Sequence, residues 1–288
     1  MKYAIVEELA GKHGVQHACE MLGVSTSGYY EWRRRGPSQR DIDDARLLEE
    51  IREVHMLSAG RFGARKVWHR LKDRGVACSL RKVTRLMRQE GLKSRCFRAR
   101  RSITVADESA PPVPNVLNRE FVAEKPNEKW VSDITQCRTR TGWIYLAVVL
   151  DLCSRKVVGW AVSQQADRAL VIAAFQRAAD ERSITPGLLV HTDRGSQYTS
   201  HDFVDMLDAW ECIRSMSRKG ECYDNAVAES FFRIFKAECL PSSGIFDSFE
   251  EARLAIFEWI EGFYNRNRPH SALNYSTPEQ FEQRMSRF

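Results

Sequence analysis

Apolar positions in the second half of the chain recur first every second residue, then every third or fourth, and the two periods go on exchanging. Trp130 to Arg138 and Trp143 to Leu150 read as strands joined by a hairpin-like turn, Thr139-Arg-Thr-Gly142. Lys156 to Ser163 reads as a third strand after the turn Asp151-Leu-Cys-Ser154. Asp167 to Arg182 then has helical spacing, with Leu170, Ala174 and Ala178 on one face. Leu188 to Thr192 is a short β-run broken at Asp193-Arg-Gly, His201 to Trp210 is helical, and Ile213 to Met216 closes the series as a strand. Three antiparallel strands followed by α-β-α-β-α predict one mixed sheet with helices on both faces.

The first half carries only helical spacing. Ile5 to His13, Gln16 to Leu22 and Ser25 to Arg34 form three short helices, with Gly23-Val-Ser25 as the last turn and Ser25 as an N-cap. Helix, glycine turn, helix is the layout of a helix-turn-helix, and Gly36-Pro37 ends the unit. In a second unit Leu47, Ile51 and Val54 stripe a helix of about three turns. Ala64 to Arg74 runs to Gly75, and Leu80 to Glu90, capped by Ser79, runs to Gly91. Ser109-Ala-Pro-Pro-Val-Pro-Asn115 suits neither helix nor strand and reads as an extended linker. The expected division is a helical segment over 1–40, a basic helix-turn-helix module over 41–101, a linker over 102–119 and an α/β domain with a C-terminal helix over 120–288. In that tail Ser248 to Phe263 is amphipathic through Leu254, Phe257 and Ile260 and is expected to pack on the core. The turn Asn265-Arg-Asn-Arg-Pro-His270 is left open between facing DNA and bracing the core.

Composition narrows the class. The chain has 288 residues, 43% of them hydrophobic and 10% aromatic, as expected of a folded protein. No run of 18 apolar residues exists and the first residues lack the apolar core of a secretion signal, so a cytoplasmic, nucleoid-associated protein with no membrane partner is expected. Eight scattered cysteines without a C-x-x-C pair predict reduced thiols. His13, His17 and Cys19 lack a suitably spaced fourth zinc ligand.

Charge is unevenly spread. Residues 61–101 hold fifteen Lys and Arg against two acids, Asp73 and Glu90, whereas the whole chain carries only +6. A basic module on an otherwise acidic chain points the module at a polyanion. Leu80, Val83 and Met87 share one face of their helix, which leaves Arg81, Lys82, Arg85 and Arg88 to point outward for phosphates and base edges. Arg65 and Lys66 extend the same basic surface.

Three acids stand out in the α/β half. Asp133 interrupts the apolar run Trp130-Val-Ser-Asp-Ile-Thr135; Asp193 follows a strand in His191-Thr-Asp-Arg-Gly-Ser-Gln-Tyr198; Glu229 lies in the helical stretch Asn225-Ala-Val-Ala-Glu-Ser-Phe-Phe232. Converging carboxylates of this kind can hold two divalent ions for in-line displacement at phosphorus. The plainer alternatives are a strand-edge aspartate, a turn aspartate before Gly195 and a solvated helix glutamate. Glu229, Arg233 and Lys236 line one helix face, with Val227, Phe231 and Ile234 opposite. Lys236 lies two turns beyond Glu229, roughly 10 Å along the axis, within reach of a neighbouring phosphate.

These motifs, together with Asp224-Asn-Ala-Val-Ala-Glu-Ser-Phe-Phe, Tyr264-Asn-Arg-Asn-Arg-Pro-His-Ser-Ala-Leu273, Gly23-Val-Ser-Thr-Ser-Gly-Tyr-Tyr and Arg61-Phe-Gly-Ala-Arg-Lys, resemble bacterial insertion-sequence transposases over nearly the full length. More narrowly they resemble the OrfB product of elements with two overlapping reading frames. The resemblance implies a ribonuclease-H-like, integrase-type core and a DDE enzyme whose metal triad is Asp133, Asp193 and Glu229. It also implies a basic residue near Lys236, and Mg²⁺ as cofactor with Mn²⁺ substituting. The implied reaction is hydrolysis of one strand at the element end followed by attack of the freed 3′-hydroxyl on target DNA. Double-stranded DNA, an upstream-frame OrfA product or fusion, and further copies of the chain are the implied partners. No sustained heptads occur, so the chain is expected to be the catalytic portion of the working transposase. Two other classes fit parts of the pattern: a DNA-binding regulator with an inactive core, and a structure-selective nuclease on the same fold.

Overall fold

A computed structural model describes residues 2–95, 113–219 and 221–286. The chain divides into two compact units, Met1–Ser94 and Arg95–Phe288. Most of the linker over 102–119 and the last residues of the basic module lie outside the described residues.

The first unit is helical. Helices α1 (Lys2–His13), α2 (Val15–Leu22) and α3 (Thr26–Arg34) enclose Val6, Ala18, Cys19 and Tyr29. Gly23 takes the left-handed conformation that ends α2, at φ 62°, and Ser25 Oγ accepts from Gly28 N at 3.1 Å. Next, α4 (Gln39–Leu57) is 19 residues long, well beyond the expected three turns. A reciprocal Ser38/Asp41 capping box starts it two turns ahead of its first buried residue, Leu47. Leu47, Ile51 and Val54 face α5 (Ala64–Asp73) and α6 (Leu80–Gln89), which bury Val67, Leu71, Val83, Leu86 and Met87.

The second unit is built on a mixed sheet, as its strand pattern predicts. Strands β1 (Lys129–Thr139), β2 (Gly142–Asp151) and β3 (Val157–Ser163) are antiparallel. β4 (Leu189–Thr192) and β5 (Ile213–Met216) add in parallel on the other side of β1, giving the order β3-β2-β1-β4-β5. A two-residue strand with no sequence signal, β6 (Ile245–Phe246), pairs with the far end of β1. Alternation along β1 sends Trp130, Ser132 and Ile134 to one face and Val131, Asp133, Thr135 and Cys137 to the other. On the first face α7 (Arg168–Glu181) and α8 (His201–Ala209) cover Trp130, Ala147, Val149, Phe175, Phe203 and Leu207. α7 packs close because residue 159 of β3 is glycine: a Cβ there would stand 2.1 Å from the Ala174 carbonyl oxygen.

The remaining helices are α9 (Ala226–Glu238), α10 (Phe249–Phe257), α11 (Asn265–Asn267) and α12 (Pro278–Met285). The amphipathic tail packs as expected at Ile260, and otherwise buries a different stripe. Leu254 and Phe257 are exposed, and Ala252, Ile256, Trp259, Ile260 and Phe263 are buried. α10 widens into a π-helical stretch, Glu258–Tyr264, which rotates the apolar face. Trp259 then meets Phe231 and Phe235 of α9 at ring-centroid distances of 5.6 and 5.3 Å.

The open question of the 265–270 turn is answered by burial. Asn265 pairs with both the N–H and the carbonyl of Val157 at 3.0 Å, substituting for a neighbouring strand along β3. Arg268, 6% exposed, donates to the buried Glu238 carboxylate at the end of α9. The turn braces the core.

Candidate active site and nucleic-acid interface

The register of the parallel strands brings two of the acids together. Val131 on β1 pairs with His191 on β4. Asp133 and Asp193 each lie two residues further on, so both fall on the same face of adjacent strands, about 4.8 Å apart in strand spacing. Asp133 Oδ1 accepts from Ile134 N at 2.8 Å. Asp193 sits one residue past the end of β4, where its Oδ1 accepts from Gly195 N at 2.9 Å. Glycine keeps this turn open: a Cβ on residue 195 would lie 3.1 Å from Asp193 Oδ1 and 2.8 Å from Gln197 Oε1, pressing on the Asp193 carboxylate. Beneath the pair, Ser132 Oγ and Tyr198 Oη lie 2.9 Å apart, and His191 bridges Ser215 Oγ at 2.8 Å and Ser217 Oγ at 3.1 Å. Burial pushes His191 down to about 4, so it is neutral at pH 7.

Glu229 enters from α9, in its first turn, and is exposed. The helix buries Ala228, Phe231, Phe232 and Phe235, a face one residue round from the expected Val227-Phe231-Ile234 stripe, so Glu229 and Arg233 stay in solvent and Lys236 is half-buried. Asp224, in the turn before α9, fixes where the helix starts. Its fully buried carboxylate accepts from Arg218 N, Nε and Nη2, from Arg119 Nε and from Asn115 Nδ2. Arg218 above all, then Arg119, holds Asp224 well below the usual carboxylate range against its burial. Nothing in the sequence singles out this clamp, because Arg119 lies 105 residues away from Asp224.

The site's electrostatics are those of acids held close together. Burial raises Asp133 well above its usual value; the charge of Asp193 and then that of Glu229 push it further, while Ile134 N–H and Lys236 oppose. Burial also raises Asp193, with Gly195 N–H opposing. Glu229 is raised by partial desolvation although the residue as a whole is exposed. Among the described residues no three His, Cys, Asp or Glu side chains already stand gathered as metal ligands. Asp133 and Asp193 each turn an oxygen to a backbone N–H instead. The donor set fits a hard divalent ion, being carboxylate oxygens with no thiol or charged imidazole among them.

A family model described as an integrase core domain matches residues 123–222, a second of the same description matches 212–278, and an HTH-like domain matches 41–101. The transposase InsF of insertion sequence IS3A from Escherichia coli (strain K12) is 37% identical over 284 residues, covering 98% of both chains. This chain belongs to the IS3-family transposases of the InsF, OrfB type. A 31 kDa protein of insertion element IS600 from Shigella sonnei is 36% identical to this transposase, over 92% of this chain and 97% of its own. The catalytic core of HTLV-2 integrase, solved in complex with magnesium, is a distant likeness that matches 56% of this transposase and 99% of its own chain, at 16% identity and a TM-score of 0.39. The transposase is an enzyme of the DDE polynucleotidyl transferase class.

The basic helix of the transposase differs from the expectation that all four cations face outward. Arg81 and Arg88 on α6 are exposed. Lys82 and Arg85 are half-buried and both pair with Asp44 on α4, Lys82 at 2.9 Å. Lys82 first, then Arg85, holds the Asp44 carboxyl below its usual range. These two cations therefore tie α6 to α4. On α5 Arg65 is exposed, while Lys66 lies with its ammonium 5.4 Å from the centre of the Phe62 ring.

Proposed function

We propose that Asp133, Asp193 and Glu229 are the metal-binding triad of this transposase, which cleaves one DNA strand at the element end and joins the freed 3′-hydroxyl to target DNA. The observation that supports this best is the placement of Asp133 and Asp193 at matching positions on one face of two adjacent parallel strands, beside the start of the helix that carries Glu229. When bound, Mg²⁺, or Mn²⁺ in its place, lowers the pKa of the attacking water or hydroxyl and stabilises the leaving oxygen. The protein's part is positional. β1 and the Asp193 turn fix two carboxylates from below, and Glu229 closes from the solvent side, where a DNA backbone enters. Lys236, whose charge already acts on Asp133, takes a phosphate next to the scissile one. No side chain bonds covalently to DNA. Arg81, Arg88 and Arg65 supply phosphate and base-edge contacts from the front unit to double-stranded DNA at element ends and target, with Lys66 beside them. The working complex joins several copies with an upstream-frame OrfA product.

Metal binding tests the triad directly. Mn²⁺ at a hundred times its Kd should stabilise the folded protein by about 2.7 kcal/mol through mass action. Asp193→Asn should lose that response, and an equal thermal shift in both proteins removes Asp193 from the site. Because burial raises both Asp133 and Asp193, and the charge of Asp193 raises Asp133 further, protons compete with the ion at higher pH than for ordinary aspartates. Mn²⁺ affinity should therefore fall as pH is lowered through that raised range.

Salt dependence tests the DNA surface. Removing Arg81 or Arg88 should lower the slope of log affinity against log salt by roughly one for each phosphate that the side chain neutralises. Asp44→Asn, which releases Lys82 and Arg85 from their partner, should leave DNA affinity equal or higher and lower the unfolding temperature. A slope that does not move on replacing both Arg81 and Arg88 returns that face to plain solvent.

A further inference from the structure

Asn225 is the polar side chain that the scheme above leaves without a task. It ends the 3-10 turn Cys222–Asn225 and leads directly into α9, three residues before Ala228 is buried and four before Glu229. Only 6% of Asn225 is exposed. Its Nδ2 donates to the main-chain oxygen of Ser132 at 3.4 Å, one residue before Asp133. Pairing of β1 with β4 stops at Val131 and His191, so the amide is seated where these strands part, the same crevice that holds Asp133 and Asp193. Its Oδ1 is buried and has no hydrogen-bond partner. Exchanging the amide oxygen and nitrogen would set two oxygens against each other at Ser132, so the acceptor end is fixed by chemistry.

A buried amide oxygen is not left unpaired without cost, and this one belongs to a side chain anchored on the residue next to Asp133, at the parting of the two strands that carry the acids. Hard divalent ions accept amide oxygens along with carboxylates and water. We infer that Asn225 is part of the metal centre, its Oδ1 serving the coordination shell of the divalent ion as an oxygen donor while Nδ2 fastens the start of α9 to β1. This rests on the triad reading. It gives Asn225 two linked tasks. The donor end sets how far Glu229 stands from Asp133, and the acceptor end adds an uncharged oxygen that does not increase the repulsion between the acids.

Mn²⁺ binding to the purified full-length chain, measured by calorimetry or by the spectrum of the free ion, separates these tasks from plain packing. Asn225→Ala should weaken Mn²⁺ binding about tenfold or more, the range for groups that support a metal site. Asn225→Asp retains an oxygen donor for the ion but loses the Nδ2 bond to Ser132, and should bind Mn²⁺ more tightly than Asn225→Ala without reaching wild type. Circular dichroism and the metal-free melting temperature report the fold of each variant. A folded Asn225→Ala protein with wild-type Mn²⁺ affinity, alongside an impaired Asp193→Asn protein, overturns this inference alone. Should Asn225→Ala not fold, Asn225→Asp decides: affinity as low as that of Asp193→Asn overturns the inference, and affinity above it supports it. Wild-type affinity in Asp193→Asn overturns the triad reading and this inference with it.

Discussion

Glu229→Gln is expected to leave DNA affinity nearly unchanged and to slow strand cleavage and joining roughly a thousandfold, about 4 kcal/mol of barrier. The substitution keeps the length and hydrogen-bonding outline of the side chain and removes one negative charge. Glu229 is exposed, so its loss opens no cavity and unpairs no buried partner; the fold should melt at the same temperature. What changes is the charge presented to a cation from the solvent side, which matters for a metal-positioning ligand and for little else. Assays on DNA carrying the element ends should score two products, the cleaved strand and the joined strand, with the upstream-frame partner present. Wild type should make both, and the Gln variant about a thousandfold more slowly. A nuclease on this fold would cleave without joining, and an inactive regulator would do neither even in the wild type. Equal product yields from wild type and Glu229→Gln would make Glu229 a surface residue and break the triad.

The parts of this fold legible in the sequence are those set by short-range periodicity. Alternation places β1, β2 and β3, glycine and serine mark the ends of α3, α5 and α6, and the same alternation puts Asp133 on one face with Val131 and Cys137. The mixed sheet follows from the succession of elements, and the integrase-type core from the resemblance of the motifs. Features that depend on distant partners are not legible. Lys82 and Arg85 look like free cations on their own helix, and only folding brings Asp44 within reach, 41 residues before Arg85. The apolar pattern understates α4 because its first two turns are charged and carry no stripe, although Ser38 and Asp41 spell a capping box. The stripe of α10 escapes the reading because Ala252 and Ile256 take the buried face in place of Leu254 and Phe257, and the π-helical stretch beyond them departs from 3.6 residues per turn. At the site, the sequence offers Asp224 and Asn225 only as neighbours of Glu229. Arg218 is six residues from Asp224, but Arg119 and Ser132 come from distant segments that only folding brings near.

Breaking the pair between Glu238 and Arg268 is expected to be the most destabilising single change outside the apolar core. Glu238 closes α9, the helix that carries Glu229, and Arg268 comes from the turn after α11. Their side chains are 6% and 7% exposed, and Arg268 Nε reaches both carboxylate oxygens at 3.1 and 2.9 Å, with Nη2 adding a third hydrogen bond at 3.1 Å. A surface pair would be worth under about 1 kcal/mol, but removing one partner of a buried pair strands the other charge away from water and costs roughly 3–5 kcal/mol. At about 2–4 °C per kcal/mol for a unit of this size, Arg268→Met should lower the melting temperature by roughly 6–20 °C. Replacing both, Glu238→Met with Arg268→Met, should recover most of that loss, because no unpaired charge remains. The double variant also bears on function. If the pair only braces α9, a protein with both methionines should melt near wild type and retain Mn²⁺ affinity and strand joining. Were Arg268 instead a DNA contact, the double variant would stay folded, bind DNA weakly and show a shallower salt dependence. A single Arg268→Met variant that melts with wild type would show that the charge was never buried in solution, and the bracing role would fall with it.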